Sequence, residues 1–151
     1  MIKKGAYIVV ALITLMMSLV LNAEAQVTVI AHESVPVDSL DKSDLLKLFS
    51  GTTEYWENQI PVTIVDLALE GEVRDAFYSY LGRASSRMRS IWLKRKLTGE
   101  GELPQSMGSE EELLKLVSST EGAIGFVSSA HAEDYPTIKV LIPDIPLVVH
   151  N

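Results

Sequence analysis

Two places in this sequence bring together residue types that can meet a ligand or a partner. The first is Glu70-Gly71-Glu72-Val73-Arg74, at the head of an apolar pattern with helical spacing. A helix start leaves backbone N–H groups unpaired and carries a partial positive charge, so a small anion suits it. Gly71 is small enough to let a ligand approach, and Arg74 would add a guanidinium. The spacing equally allows a plain surface pair between Arg74 and Glu70, four residues apart. Glu70 and Glu72 suit a helix start and oppose an incoming anion.

The second place is the run from Arg83 to Lys96, which holds Arg83, Arg87, Arg89, Lys94, Arg95 and Lys96 in a chain of net charge −7. Arg87, Arg89 and Lys94 are the candidate docking residues for a carboxylate-rich partner or an anionic surface. The alternative is a solvated helix face. Gly99-Glu100-Gly101 makes a turn beyond this run, and Gly99 and Gly101 are candidate lining for the same site as Gly71, Glu72 and Arg74. Neither this turn nor Gly122 to Gly125 has the spacing of a nucleotide-binding glycine loop. Tyr55 and Trp56 sit in a polar loop, where Trp56 is expected to pack back on the domain.

No catalytic constellation emerges. There is no Cys, which excludes thiol nucleophiles, thiolate metal sites and disulfides. His32, His131 and His150 lie far apart, with no H-x-H or H-E-x-x-H spacing. Ser109, three residues before Glu112, is a helix cap rather than a nucleophile. Glu110, Glu111 and Glu112 are the carboxylates that a helix start favours. The expectation is a protein that is not an enzyme and carries no cofactor and no metal. Its acidic balance argues against nucleic acid as a partner.

The elements that must hold these residues begin after residue 25. Lys3 and Lys4 precede a nearly unbroken apolar run from Ala6 to Leu21, and Ala23-Glu24-Ala25 follows with small residues flanking Glu24. This is the pattern of a cleavable secretory signal peptide over residues 1–25, cut after Ala25, and it points to a periplasmic address. The run falls short of the roughly 20 residues a spanning helix needs, so no integral span is expected after cleavage. Residues 26–151 suffice for one domain.

Within that domain, Val27 to Ile30 and Val62 to Val65 read as strands. Ser39 or Asp41 caps a helix that turns Leu45, Leu46, Leu48 and Phe49 inward and stops at Gly51. Val73, Phe77, Tyr80 and Leu81 share one helix face, closed by Gly82. Ser85 or Ser86 caps a helix with Met88, Ile91 and Trp92 inside. Pro104 is expected to keep the chain irregular up to the helix capped by Ser109, with Leu113, Leu114, Leu116 and Val117 toward the core. Gly122 to Val127 turns into a strand, and Ile138 to Ile142 is another, ending before Pro143. The tail from Asp144 is apolar and broken by Pro146. Strands alternating with helices give an α/β domain with a mixed or mostly parallel sheet flanked by helices.

Three segments in order carry a family resemblance. They are Leu45-Leu46-Lys47-Leu48-Phe49-Ser50-Gly51 followed by Trp56, Arg74-Asp75-Ala76-Phe77-Tyr78-Ser79-Tyr80-Leu81-Gly82, and Glu121-Gly122-Ala123-Ile124-Gly125-Phe126-Val127. Together they resemble the periplasmic phosphate-binding proteins of ABC transporters and their short single-lobe relatives. The resemblance implies one lobe of a type-2 periplasmic-binding-protein fold over residues 26–151. It also implies a small anion such as phosphate as ligand, and an ABC permease or another envelope protein as partner, in uptake or sensing. The alternative is an envelope interaction module that has lost solute binding. The family's phosphate grip resembles R-x-D-x-S-G-T. This chain has Leu67 at the Arg position and Gly71, Glu72 and Val73 in place of Ser-Gly-Thr, so the likeness supports the scaffold more than the ligand. N-terminal sequencing of the exported protein is expected to begin at Gln26; exported protein that still begins at Met1 would refute the leader.

Overall fold

The computed structural model describes residues 26–133, 135 and 137–146, together with residues 3, 4 and 8. The expected signal peptide therefore lies almost wholly outside the described residues. Among those described, no helix is long and apolar enough to cross a membrane.

The chain runs β1 (Gln26–His32), α1 (Lys42–Phe49), β2 (Thr63–Leu67), α2 (Glu72–Leu81), α3 (Ser85–Leu97), β3 (Gln105–Met107), α4 (Glu110–Ser119), β4 (Ala123–Ser128), α5 (Ser129–Ala132) and β5 (Ile138–Pro146). One five-stranded sheet has the order β3-β2-β4-β1-β5. β2 pairs in parallel with β3 and β4, whereas β1 pairs antiparallel with β4 and β5. The sheet is thus mixed, with a parallel half that places three strand ends on one side.

Local chemistry explains the helix boundaries. Asp41 caps α1 by accepting from the Asp44 N–H at 2.8 Å, and Gly51 follows in the left-handed conformation at φ 75°. Gly82 closes α2 at φ 71°. Ser109 accepts from the Glu112 N–H at the start of α4, and the Glu112 carboxylate reaches back to the Gly108 N–H. The reciprocal bond therefore falls one residue earlier than in the usual capping box.

Three expectations need correction. Ser85 and Ser86 do not cap α3; the N-cap is Ala84, which offers no side-chain bond. The chain after Pro104 is not irregular, because pairing with β2 draws Gln105–Met107 into a strand. β5 does not stop at Ile142 but continues through Pro143 to Pro146. It is an edge strand, where a missing N–H can face away from the ladder.

Side chains alternate across β4, and this fixes the two layers. Phe126 stacks on Phe77 of α2 with centroids 4.0 Å apart and planes 6° from parallel, and Phe49 of α1 joins at 4.7 Å from Phe77. The neighbouring Gly125 faces the other way, where an added Cβ would lie 2.9 Å from Leu113 of α4. Helices thus cover both faces, and Gly125 lets α4 sit close. Gly122 is a joint. Its N–H donates to Ser34 Oγ at 3.0 Å, and its carbonyl accepts from Trp56 Nε1 at 2.9 Å and from the Thr63 N–H at 3.1 Å. The Trp56 bond matches the expectation that this ring packs back on the domain. Gly122 has φ 73°, and a Cβ there would collide with the Pro61 carbonyl and Ile60. Gly122→Ala is expected to cost about 2–3 kcal/mol, from overpacking and a left-handed backbone. Urea unfolding checks this, and an unchanged midpoint would contradict it.

Candidate functional site

The parallel strands end at Leu67, Met107 and Ser128, and α2, α4 and α5 begin just beyond them. In open α/β sheets this is the side on which ligands bind. A cavity of about 320 Å3 opens there, lined by Leu67, Leu69, Gly71, Arg74, Gly108 and Glu110 among others.

Gly71 is the N-cap of α2 and supplies no side-chain hydrogen bond. A Cβ on it would meet nothing within 4 Å. No side chain therefore caps the first N–H groups of α2, whereas the start of α4 is closed by Ser109 and Glu112. Glu70 and Glu72 are exposed beside Gly71.

Arg74 behaves as neither reading of the sequence expects. It does not pair with Glu70 on the surface, and its guanidinium is not free. It is 5% exposed and pairs with Asp66, on β2. The contacts are Nη2 to Oδ2 at 3.2 Å and Nε to Oδ1 at 3.4 Å. The Tyr78 hydroxyl donates to Oδ2 at 2.7 Å, and the Leu67 N–H donates to Oδ1 at 2.8 Å. The guanidinium also lies 5.0 Å from the centre of the Tyr78 ring. Burial pulls the Arg74 pKa down, but the hydrogen bond and charge of Asp66 outweigh it and leave the pKa raised. Burial first, then the charge of Asp66, pushes the Tyr78 phenol far above its usual range, so it remains a donor. Among the described residues, Arg74 Nη1 is buried without a partner.

Asp66 is the residue that the sequence reading misses. Its one visible signal is a carboxylate between Val65 and Leu67 in an otherwise apolar strand.

Gly99 and Gly101 do not join Gly71, Glu72 and Arg74. They line a different cavity, of about 470 Å3, with Gly51, Tyr55, Arg95 and Gln105. That cavity lies where β2 and β3 begin, at the opposite end of the parallel strands. There Arg95 Nη2 donates to Glu54 Oε1 at 2.8 Å and to the Glu100 carbonyl at 2.7 Å. A Cβ on Gly101 would press within 3.3 Å of the Arg95 guanidinium, so the glycine makes room for this latch.

Glu110 has a positioning role. It accepts from the Ser128 N–H and pairs with His131 Nδ1 at 2.8 Å, joining the start of α4 to the end of β4. Ser128 Oγ lies 2.7 Å from that same Nδ1. A hydrolytic relay needs the two ring nitrogens to serve different partners, so this cluster is not one.

On α3, Arg87, Arg89 and Lys94 are all exposed. They do not share a face. At about 100° per residue, Arg89 projects toward the β3 side with Leu93, whereas Arg87 and Lys94 lie on the opposite flank.

The buried pair generates a direct test. Asp66→Ala is expected to cost about 3–5 kcal/mol, because it leaves a buried guanidinium uncompensated. Arg74→Met added to it is expected to restore part of that loss in chemical denaturation. A double variant no more stable than Asp66→Ala would show that the lost stability does not come from the stranded charge.

No protein-family model matches the sequence, and no curated protein matches it. Solved structures do. An ABC-type phosphate transport receptor from Vibrio cholerae aligns with TM-score 0.59 at 16% identity, over 78% of this chain and 45% of that one. A putative phosphate ABC transporter substrate-binding protein with bound phosphate from Clostridium perfringens aligns with TM-score 0.59 at 20% identity, over 79% and 45%. PstS from Borrelia burgdorferi aligns with TM-score 0.62 at 10% identity, over 80% and 47%. A mixed sheet with helices on both faces, matched to such structures over most of its length, gives the chain the fold of phosphate ABC transporter substrate-binding proteins, across a little under half the length of those proteins.

Proposed function

We propose that this chain is a solute-binding-protein-like domain, exported to the periplasm by residues 1–25, that holds a small anion at the open N-terminus of α2. The observation that carries this reading is Gly71. It begins a ten-residue helix with no side-chain cap, over a cavity of about 320 Å3 at the carboxyl ends of β2 and β3. Backbone N–H groups of Glu72 and Val73 would donate to the ligand, and the helix dipole would favour its charge. Arg74 supports the site from below by fixing the helix start to β2, its own charge being matched by Asp66.

Charge sets the ligand's character. Glu70 and Glu72 stand beside the site, and Glu110 lines its far side. A doubly charged phosphate is poorly served by three carboxylates and a neutralised arginine. A singly charged anion is better matched, because the helix dipole contributes only about 0.3–1 kcal/mol and the rest must come from backbone N–H donors. The role would be delivery or sensing of such a solute, with an ABC permease or another envelope protein as its partner.

Thermal-shift titration with phosphate at low and neutral pH, sulfate, formate and nitrate tests the reading. A singly charged ion is expected to raise the melting temperature in a concentration-dependent way. Gly71→Asp provides the discriminating variant, since the backbone at Gly71 is extended (φ 169°) and accepts any residue. Its carboxylate would cap α2, raising stability by about 0.5–1 kcal/mol while abolishing the ligand response. Ligand shifts that persist in Gly71→Asp would remove the site from α2, and no shift with any of these ions at millimolar concentration would refute the proposal.

A further inference from the structure

The α3 helix is built against local rule at its N-terminus. Its cap is Ala84, with no side-chain bond, and its first turn has no carboxylate. Instead Arg87 stands in that turn, at the end of the helix where a cation is disfavoured. From Ser85 to Leu97 there is no acidic residue, although the chain as a whole has a net charge of −7. Lys94, Arg95 and Lys96 at the other end are ordinary dipole chemistry, and Arg95 is committed to Glu54. Arg89 is exposed and, among the described residues, has no ion-pair partner.

The flank that carries Arg89 is also apolar. Leu93 is 50% exposed, and Leu103, across the turn, is 43% exposed. Lys96 lies on the same flank, held to Glu102 only at 4.0 Å. Beneath this flank is a cavity of about 330 Å3 between α3 and the sheet, lined by Met88, Arg89, Trp92, Leu93 and Leu103, with the Asp66, Arg74 and Tyr78 cluster in its wall. It adjoins β3, one of the two edge strands of the sheet, whose Gln105 and Ser106 are exposed. An edge strand offers unpaired backbone groups to an extended chain.

We propose that the groove between α3 and β3 docks an extended acidic segment of a partner protein, with one large apolar side chain in the cavity and carboxylates on Arg89 and Lys96. Charge complementarity selects the occupant: Arg89 and Lys96 beside a hollow whose lining is largely apolar, with the neutralised Asp66–Arg74 pair in its wall, match an acidic segment with an apolar anchor. The hollow is concave, which suits an inserted side chain and not a flat bilayer, and the acidic remainder of the chain repels an anionic membrane. The groove shares Leu67 and Arg74 with the cavity at Gly71 and is otherwise lined by different residues.

Fluorescence anisotropy with a labelled short peptide of alternating Glu and Leu tests this on the exported chain. A peptide with Lys for Glu and vesicles of phosphatidylglycerol serve as the contrasting probes. The acidic peptide is expected to bind, more weakly at high salt, with no binding of the basic peptide. Arg89→Glu and Leu93→Glu are each expected to weaken binding about tenfold or more, with melting temperatures unchanged because both residues are exposed. Arg87→Glu makes the same charge change on the opposite flank and is expected to alter affinity by about twofold at most in physiological salt. Equal losses from Arg87→Glu and Arg89→Glu would reduce the effect to diffuse charge and overturn the groove. Vesicle binding in place of peptide binding, or no peptide binding at millimolar concentration, would overturn the proposal too.

Discussion

The pairing of Asp66 with Arg74 sets the terms for everything at the carboxyl ends of the parallel strands. These are the buried charged residues among those described, and neither is tolerable there alone. Their contact, with Tyr78 donating from one helical turn further on, ties the last residues of β2 to the first turn of α2. The loop between them is therefore short and directed, and it places Gly71 over the cavity instead of letting α2 slide along the sheet. The same contact neutralises the one buried guanidinium and leaves its Nη1 without a partner among the described residues. Apart from that one amino group the edge presents backbone, since no side chain caps the start of α2.

Much of the scaffold is legible in the sequence because the signals are local. Asp41, Gly51, Gly82 and Ser109 announce their helix ends by chemistry that acts within four residues, and the structure has each in that role. Apolar spacing likewise places Phe77 and Leu113 inside. The misses are of another kind. β3 is a three-residue strand of Gln, Ser and Met, and nothing in those residues outweighs the preceding Pro104; only the ladder offered by β2 makes it a strand. Asp66 and Arg74 are eight residues apart across a strand, a turn and a helix, a distance that no periodicity reports.

The placement of Gly99 and Gly101 fails for a topological reason. Residues just before a strand and residues just after it lie at opposite ends of it. β3 begins at Gln105 and ends at Met107, so Gly101 belongs to the entry side while Gly108 belongs to the exit side, with Gly71. Sequence order brings Gly101 near the site only if the strand between is overlooked. Once β3 is present, the glycine loop at 99–101 has its own explanation, since Arg95 threads between Gly51 and Gly101 to reach Glu54 and the Glu100 carbonyl. A similar geometric point divides the basic helix. Arg87 and Arg89 are neighbours in sequence, but an α-helix turns them about 200° apart, so a charge run in one dimension becomes two unrelated flanks in three.

The fold and the site chemistry therefore carry different weights. A TM-score near 0.6 at 10–20% identity describes a shared arrangement of strands and helices and leaves side-chain chemistry open. That chemistry has to be read from this chain, and it is divided by sign. The strand-end cavity is ringed by Glu70, Glu72 and Glu110, with its arginine neutralised, and the groove beside β3 is lined by Arg89, with Lys96 on the same flank of α3. In a protein whose net charge is −7, an acidic rim needs no special account, and Glu70 and Glu72 serve the dipole of α2. The basic flank has no such account, because Arg89 stabilises no helix end and, among the described residues, makes no ion pair. Of the two surfaces, the one that local structure fails to explain is the flank of α3 that carries Arg89.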